Sequence, residues 1–220
     1  MLEIACFEIT SAETACQSMA DRIEFCADFE LGGTTPDFYE FMHLKRNFKT
    51  PVYVMIRPKG GPFFYSEAEF IEMKTSIITF KEGGADGFVF GILTADNEID
   101  EARNKELIEL AGETPCTFHR AFDRTLDLDR SIQTLIKLGF KTVLTSGGKK
   151  SAMEGKEMLK SLVENYCDKI EILIGGGVRS KNIEELKNFT GGKSFHSSAI
   201  KDYDTFVTED EIKKLKKLSS

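Results

Sequence analysis

The sequence predicts a single (β/α)₈ TIM barrel, and two features of the chain carry that prediction. Short apolar runs rich in β-forming residues alternate with longer stretches of helical spacing, which is the pattern of parallel βαβ units. About eight such units follow one another, and eight is the number that closes a barrel. A doubly wound open sheet competes, but no G-x-G-x-x-G follows the first apolar run. We therefore expect one domain, residues 1–220.

Each unit has a place along the chain. The predicted strands cover residues 2–7, 22–26, 52–57, 87–90, 117–120, 142–145, 170–174 and 194–196. The predicted helices cover residues 12–19, 38–47, 67–82, 101–110, 128–138, 152–163, 182–188 and 209–218. Local signals support several boundaries, because Pro51 and Pro58 enclose the third strand, Ser66 is a suitable N-cap for the third helix, and Gly139 ends the fifth.

Composition and charge exclude several classes of protein. Hydrophobic residues make up 41% of the chain and charged residues 30%, as is usual for a globular domain. The formal net charge of -7 argues against a nucleic-acid partner, because phosphate binding needs a basic surface. No apolar run approaches a membrane span, and MLEIACFEIT at the start does not resemble a signal peptide. We expect a cytoplasmic protein without a membrane partner.

The cysteines do not form a recognisable framework. They are odd in number, widely scattered and contain no CxxC pair, so neither a disulfide scaffold nor a structural zinc site is expected. The five are Cys6, Cys16, Cys26, Cys116 and Cys167.

Nine segments, in order across nearly the whole chain, carry a family resemblance. They are ADRIEFC at 20–26, GGTTP at 32–36, VMIRPKGG at 54–61, YSEAEF at 65–70, DGFVFG at 86–91, TFHRAFD at 117–123, LTSG at 144–147, GGGVR at 175–179 and FHSSA at 195–199. In these segments the chain resembles the copper homeostasis protein CutC family. The resemblance implies a cytoplasmic barrel connected with copper handling, and a homo-oligomer, since family members often self-associate. Two positions depart from the family pattern, Pro62 in place of a frequent Asp and Ala5 in place of a second cysteine.

Strand alternation predicts which side chains point into the barrel. On the second strand Ile23 and Phe25 suit the helix-facing side, so Glu24 and Cys26 point inward. The same reasoning gives an inward set of Glu3, Glu24, Cys26, Met55, Arg57, His119, Glu171 and His196. A barrel filled for structure alone prefers Val, Ile and Leu, so these polar groups need partners or a function.

The catalytic candidates lie at strand ends, where barrel enzymes place their active sites. They are His119, Glu24, Arg57, Arg120, Asp123 and His196. Each has a simpler alternative, since either histidine could be satisfied by a core hydrogen bond. Arg57 could pair with a barrel glutamate, and Arg120 could form a loop salt bridge with Asp123.

A glycine loop supplies candidates for ligand binding. Backbone N–H groups after a barrel strand can hold a phosphate, although the same glycines also suit a tight turn. The segment after the eighth strand lacks the glycine that would complete such a site. The candidate set is Gly175, Gly176, Gly177, Arg179 and Ser146.

The copper candidates are Cys26, Met55 and His119. Cu(I) prefers thiolate and thioether ligands, and Cys26 and Met55 have the same inward parity on neighbouring strands. Each cysteine could instead be a small buried apolar residue. Three hypotheses remain open: a copper-binding protein, a barrel enzyme acting on a small anionic substrate that the arginines bind, and a barrel that has lost its chemistry.

Overall fold

In the computed structural model, which describes residues 1–200 and 206–219, eight parallel strands close into a barrel. The strands are β1 (Leu2–Cys6), β2 (Arg22–Phe25), β3 (Val52–Met55), β4 (Gly87–Phe90), β5 (Cys116–Phe118), β6 (Thr142–Thr145), β7 (Glu171–Ile174) and β8 (Ser194–Ser197). They pair in chain order, and β8 returns to β1 with Glu3 opposite His196. The predicted (β/α)₈ fold is confirmed.

The helices form the outer layer and alternate with the strands. They are α1 (Ile9–Gln17), α2 (Phe38–Asn47), α3 (Glu67–Glu82), α4 (Glu101–Ala111), α5 (Leu128–Leu138), α6 (Lys156–Tyr166), α7 (Ile183–Thr190) and α8 (Glu209–Ser219). No helix within the described ranges has the length and apolar character needed to cross a membrane.

The side chains of each strand alternate between two cores. Ile23 and Phe25 of β2 pack in the large core between barrel and helices. Cys26, Met55 and Val89 form a separate small cluster inside the barrel. The predicted parity of these strands is therefore correct, and it follows from the two-residue repeat of β structure.

Two predicted helix boundaries are wrong, one because of a side-chain cap and one because of a turn. The helix predicted at 12–19 begins at Ile9, since the Glu8 carboxylate accepts hydrogen bonds from the N–H groups of Thr10 and Ser11. The helix predicted at 152–163 begins at Lys156, after a turn that ends at Gly155.

A polar belt crosses the N-terminal end of the barrel. The Arg22 guanidinium pairs with Glu3, lies 3.4 Å from Glu171 Oε2 and stacks over the Tyr53 ring at 4.3 Å. Thr142 Oγ1 and Ser194 Oγ donate hydrogen bonds to Glu171 at 2.8 and 2.7 Å. The inward Glu3 and Glu171 therefore have partners within the barrel wall.

Candidate functional site

A cavity of about 280 Å³ lies at the C-terminal ends of the strands. Its lining includes Arg57 from the end of β3, His119 from the end of β5 and His196 from β8. Glu24 and Met55 also line it. This is the end at which barrel enzymes bind their substrates. The fold thus brings together at one opening five of the six catalytic candidates, since Arg120 lines the cavity too and only Asp123 does not.

Arg57 is buried and hydrogen-bonds to two loops, the one after β2 and the one after β3. Its Nη1 donates to the carbonyl oxygens of Leu31 and Gly33, each at 2.8 Å, and its Nη2 donates to the Gly61 carbonyl at 3.0 Å. The guanidinium also lies 4.9 Å from the centre of the Phe63 ring. The ion pair with Glu24 or Glu3 that we considered does not form, so neutral acceptors surround the charge.

His119 ends β5 instead of continuing it. The predicted strand at 117–120 is too long, because His119 Nδ1 accepts a hydrogen bond from the Ala121 N–H at 3.2 Å and starts a 3₁₀ helix over Arg120–Arg124. Burial, followed by the positive charge of Arg57, lowers the pKa of His119 to about 3. The ring is therefore neutral, and since Nδ1 accepts, Nε2 carries the proton.

His196 and Glu24 form an ion pair inside the barrel. His196 Nε2 lies 2.9 Å from Glu24 Oε2 and 3.7 Å from Glu3 Oε1. Burial by itself favours neutral His196, but attraction to Glu24 and Glu3 outweighs it and raises the pKa of His196. The other ring nitrogen, Nδ1, lies beside Gly175 at the cavity. Such a carboxylate–histidine pair is able to exchange a proton with a molecule in the cavity.

Arg120 and Asp123 form the loop salt bridge that we considered. Arg120 Nε donates to Asp123 Oδ2 at 2.8 Å, and Arg120 Nη2 donates to Ser146 Oγ at 2.7 Å. Asp123 also accepts hydrogen bonds from Thr145 Oγ1 at 2.6 Å and from the Gly148 N–H at 2.9 Å. Asp123 therefore joins the ends of β5 and β6 and fixes the direction of Arg120.

The glycine loop that follows β7, residues 175–177, adopts backbone conformations that favour glycine. Gly176 and Gly177 adopt φ values of 95° and 77°, which side chains rarely tolerate. Arg179 reaches from this loop to Ser197 at the end of β8 and to Ser198 after it, with hydrogen bonds of 3.2 and 2.8 Å. Ala199 adopts φ 49°, so the loop after β8 makes its left-handed turn without the expected glycine.

Cys26 lies beneath the cavity and Met55 at its edge. Only 1% of Cys26 and 4% of Met55 is exposed. Burial, followed by the Glu24 carboxylate, raises the pKa of the Cys26 thiol well above its usual value. Met55 contacts the cavity, whereas Cys26 packs against Phe7 and Gly33.

A sequence model of the CutC family matches residues 1–201. The chain belongs to the CutC family. The human copper homeostasis protein cutC homolog is 41% identical over 199 residues, which cover 90% of this chain and 73% of the human protein. The family protein CutC of Vibrio vulnificus strain YJ016 is 43% identical over 200 residues, covering 90% and 80% of the two chains.

Solved structures agree with this CutC assignment. The crystal structure of the CutC protein from Streptococcus agalactiae superposes with a TM-score of 0.86 at 32% identity, covering 90% of this chain and 98% of that one. Thiamine phosphate pyrophosphorylase from Pyrococcus furiosus has a TM-score of 0.66 at 16% identity, covering 99% of this chain and 94% of that one. The second likeness concerns the fold alone.

Several contacts in this CutC chain escaped the sequence reasoning. Phe63 lies under the Arg57 guanidinium, and its ring centre is 4.8 Å from that of His119. Ser197 and Ser198 bind Arg179. An aromatic residue two positions after the Gly60–Gly61 pair, just beyond Pro62, was the one available signal for Phe63, but nothing local indicated its ring partners.

Proposed function

We propose that this CutC-family protein acts in copper homeostasis in the cytoplasm and binds Cu(I) through Cys26 and Met55. The supporting observation is that both residues belong to one small cluster inside the barrel, on neighbouring segments at the ends of β2 and β3. A thiolate and a thioether are the donors that Cu(I) prefers. The copper homeostasis names of curated relatives point the same way.

The two sulfur donors, Cys26 and Met55, suit a soft metal ion such as Cu(I) and suit a harder ion poorly. Cu(I) must displace the proton of a thiol whose pKa burial has raised, so its binding releases a proton and strengthens as the pH rises. Met55 needs no deprotonation and contacts the cavity, which makes it the accessible donor of the pair. We therefore treat copper as cargo that enters from the barrel mouth.

His119 is the third proposed ligand, and its present hydrogen bond bears on that role. Nδ1 accepts from the Ala121 N–H, so Nε2 carries a proton and has no lone pair to offer. Coordination through Nε2 requires the other tautomer and loss of the Ala121 bond. We propose a site in which the two sulfurs supply the main affinity and His119 a smaller share.

The test is a Cu(I) titration of the anaerobic protein against a chromophoric chelator. We expect Cys26→Ser to weaken binding strongly and Met55→Leu to weaken it less, since only the thiolate brings charge to the metal. Cys16→Ser is the matched control, because Cys16 is half-buried on α1, outside the barrel. Equal losses in Cys26→Ser and Cys16→Ser, or no loss in either, would overturn the proposed site.

A further inference from the structure

A broad basic cleft lies at the mouth of the cavity. It has a volume of about 940 Å³ and shares Gly32, Arg57, Phe63 and Arg120 with the cavity lining. Its cationic side chains are Arg57, Arg120, Arg124, Lys149 and Lys150, against the carboxylates of Glu30 and Asp123. In a chain whose net charge is -7, this opening is a local region of positive charge that attracts small anions.

Two buried N–H donors at this opening have no acceptor within the described residues. They are Arg57 Nε and His119 Nε2, and both side chains line the cavity. The hydroxyl of Tyr65 is also buried and lies beside the Arg57 guanidinium. A buried donor without an acceptor has lost its hydration and gained no hydrogen bond in return, so binding an oxygen acceptor here is favoured.

Neither Glu24, which lines the cavity, nor the deeper Glu3 cancels the charge of these donors. Glu24 is paired with His196, and Glu3 is paired with Arg22. Within the described residues no carboxylate lies at ion-pair distance from Arg57. The positive charge of Arg57 is therefore still available to a ligand.

Arg120 supplies a third donor on the opposite side of the opening. Its Nε and Nη2 are bound to Asp123 and Ser146, which fixes the plane of the guanidinium. A methyl group at Gly176 would lie 3.2 Å from Arg120 Nη1, so the glycine is what lets this atom approach the loop after β7. The arginine is thus held in place before any ligand arrives.

We infer that the cavity binds a small oxyanion, a carboxylate or a phosphate group, held by Arg57, His119 and Arg120 and separate from the proposed copper ligation by sulfur. A cavity of about 280 Å³ accommodates a compact metabolite with one or two such groups. An imidazole N–H beside a guanidinium suits an anion, because both groups donate hydrogen bonds to its oxygen atoms.

The experiment titrates metal-free protein with inorganic phosphate and, separately, with malonate, by calorimetry in the millimolar range. We expect heat from at least one of them. A phosphate-only response identifies the ligand group as a phosphate, and a malonate-only response as a carboxylate. Arg57→Met and His119→Phe should each weaken the binding by roughly tenfold or more. Arg130→Met is the control, since that arginine lies exposed on α5 and pairs with Glu98.

A second measurement covers the case in which the variants do not fold. In wild-type protein with ¹⁵N-labelled histidine, the bound anion should shift the Nε2 resonance of His119 and leave that of the surface residue His43 unchanged. No heat and no shift with either anion at millimolar concentration would overturn the inference. Copper affinity is measured separately with the Cys26 variant, so failure of one proposal is distinguishable from failure of the other.

Discussion

His196 Nε2 lies 2.9 Å from Glu24 Oε2, so one imidazole on β8 meets a carboxylate on β2 across the intervening strand β1. The inward residue of β1 that is in register with Glu24 is Ala5, whose small side chain leaves room for the contact. The ion pair is buried, and its energy therefore depends strongly on the protonation of both partners.

The first prediction concerns stability at rising pH. The native pKa of His196 is raised above the usual 6.5, so the folded protein holds a proton that the unfolded chain releases. Its stabilising contribution is present below pH 6.5 and is lost as the pH rises through the native pKa. The raised pKa of Glu3 acts in the same direction. Urea unfolding of wild type should show the free energy of unfolding falling by up to about 1.4 kcal/mol per pH unit.

His196→Asn should remove most of this slope, whereas His43→Gln on the surface of α2 should retain it. Arg120, the other charge that acts on His196, opposes protonation and is the same in all three proteins. A wild-type stability that is flat above pH 6.5 would contradict the assignment.

The second prediction concerns acid. The native pKa of His119 is about 3, so the folded ring stays neutral while the unfolded chain takes up a proton below pH 6.5. Stability from this residue is full above pH 6.5 and is lost as the pH falls toward 3. Between pH 6.5 and 5 the wild type should lose about 2 kcal/mol more than His119→Phe, measured by urea unfolding. Identical pH profiles of the two proteins would show that His119 titrates normally.

The third prediction concerns the loop junction at Asp123. Asp123→Asn removes the charge that binds Arg120 Nε and turns one acceptor oxygen into a donor facing N–H groups. We expect a loss of roughly 2–4 kcal/mol in the free energy of unfolding, because several buried bonds to one carboxylate are broken together. Asp96→Asn, at an exposed position in the loop after β4, is the control. A thermal midpoint unchanged from wild type would mean that this junction is not stabilising.

The fourth prediction concerns the space beneath His119. A methyl group at Gly91 would lie 2.8 Å from His119 Nδ1 and 3.0 Å from Phe118 Cζ. Gly91→Ala should therefore displace the imidazole and cost about 1–3 kcal/mol of stability. At Gly60 a methyl group would lie 3.0 Å from Cβ and 3.1 Å from Cδ2 of the half-exposed Leu31, and the outer atoms of that side chain can turn toward solvent, so Gly60→Ala should be tolerated better. Calorimetry measures the melting temperatures of the two variants. An equal decrease in both would contradict the prediction.

The fold and the inward positions were predictable because they depend on short-range patterns. Strand alternation placed Glu24, Cys26 and Met55 inside the barrel, where the structure has them. The bounds of α3 were also predicted correctly, since Ser66 forms a capping box with Glu69.

The partners within the site were not predictable, because they join residues far apart in the chain. His196 and Glu24 are separated by 172 positions, and no local pattern pairs them. The strand predicted at 117–120 failed for a related reason, since apolar periodicity does not reveal that His119 turns its own ring back onto the Ala121 N–H. The copper, catalytic and phosphate roles stay predictions until ligand binding is measured.

The polar belt of Arg22, Glu3 and Glu171 at the N-terminal end of the barrel has a consequence for the order in which the barrel closes. Arg22 is 19 positions from Glu3 but 149 positions from Glu171. During synthesis Arg22 therefore becomes available to Glu3 long before Glu171 has been made. Glu3 is then not buried in the barrel wall without a counter-ion, which would be costly. Arg22 acts first as a local counter-ion and later as the group that fastens the last strands to the first.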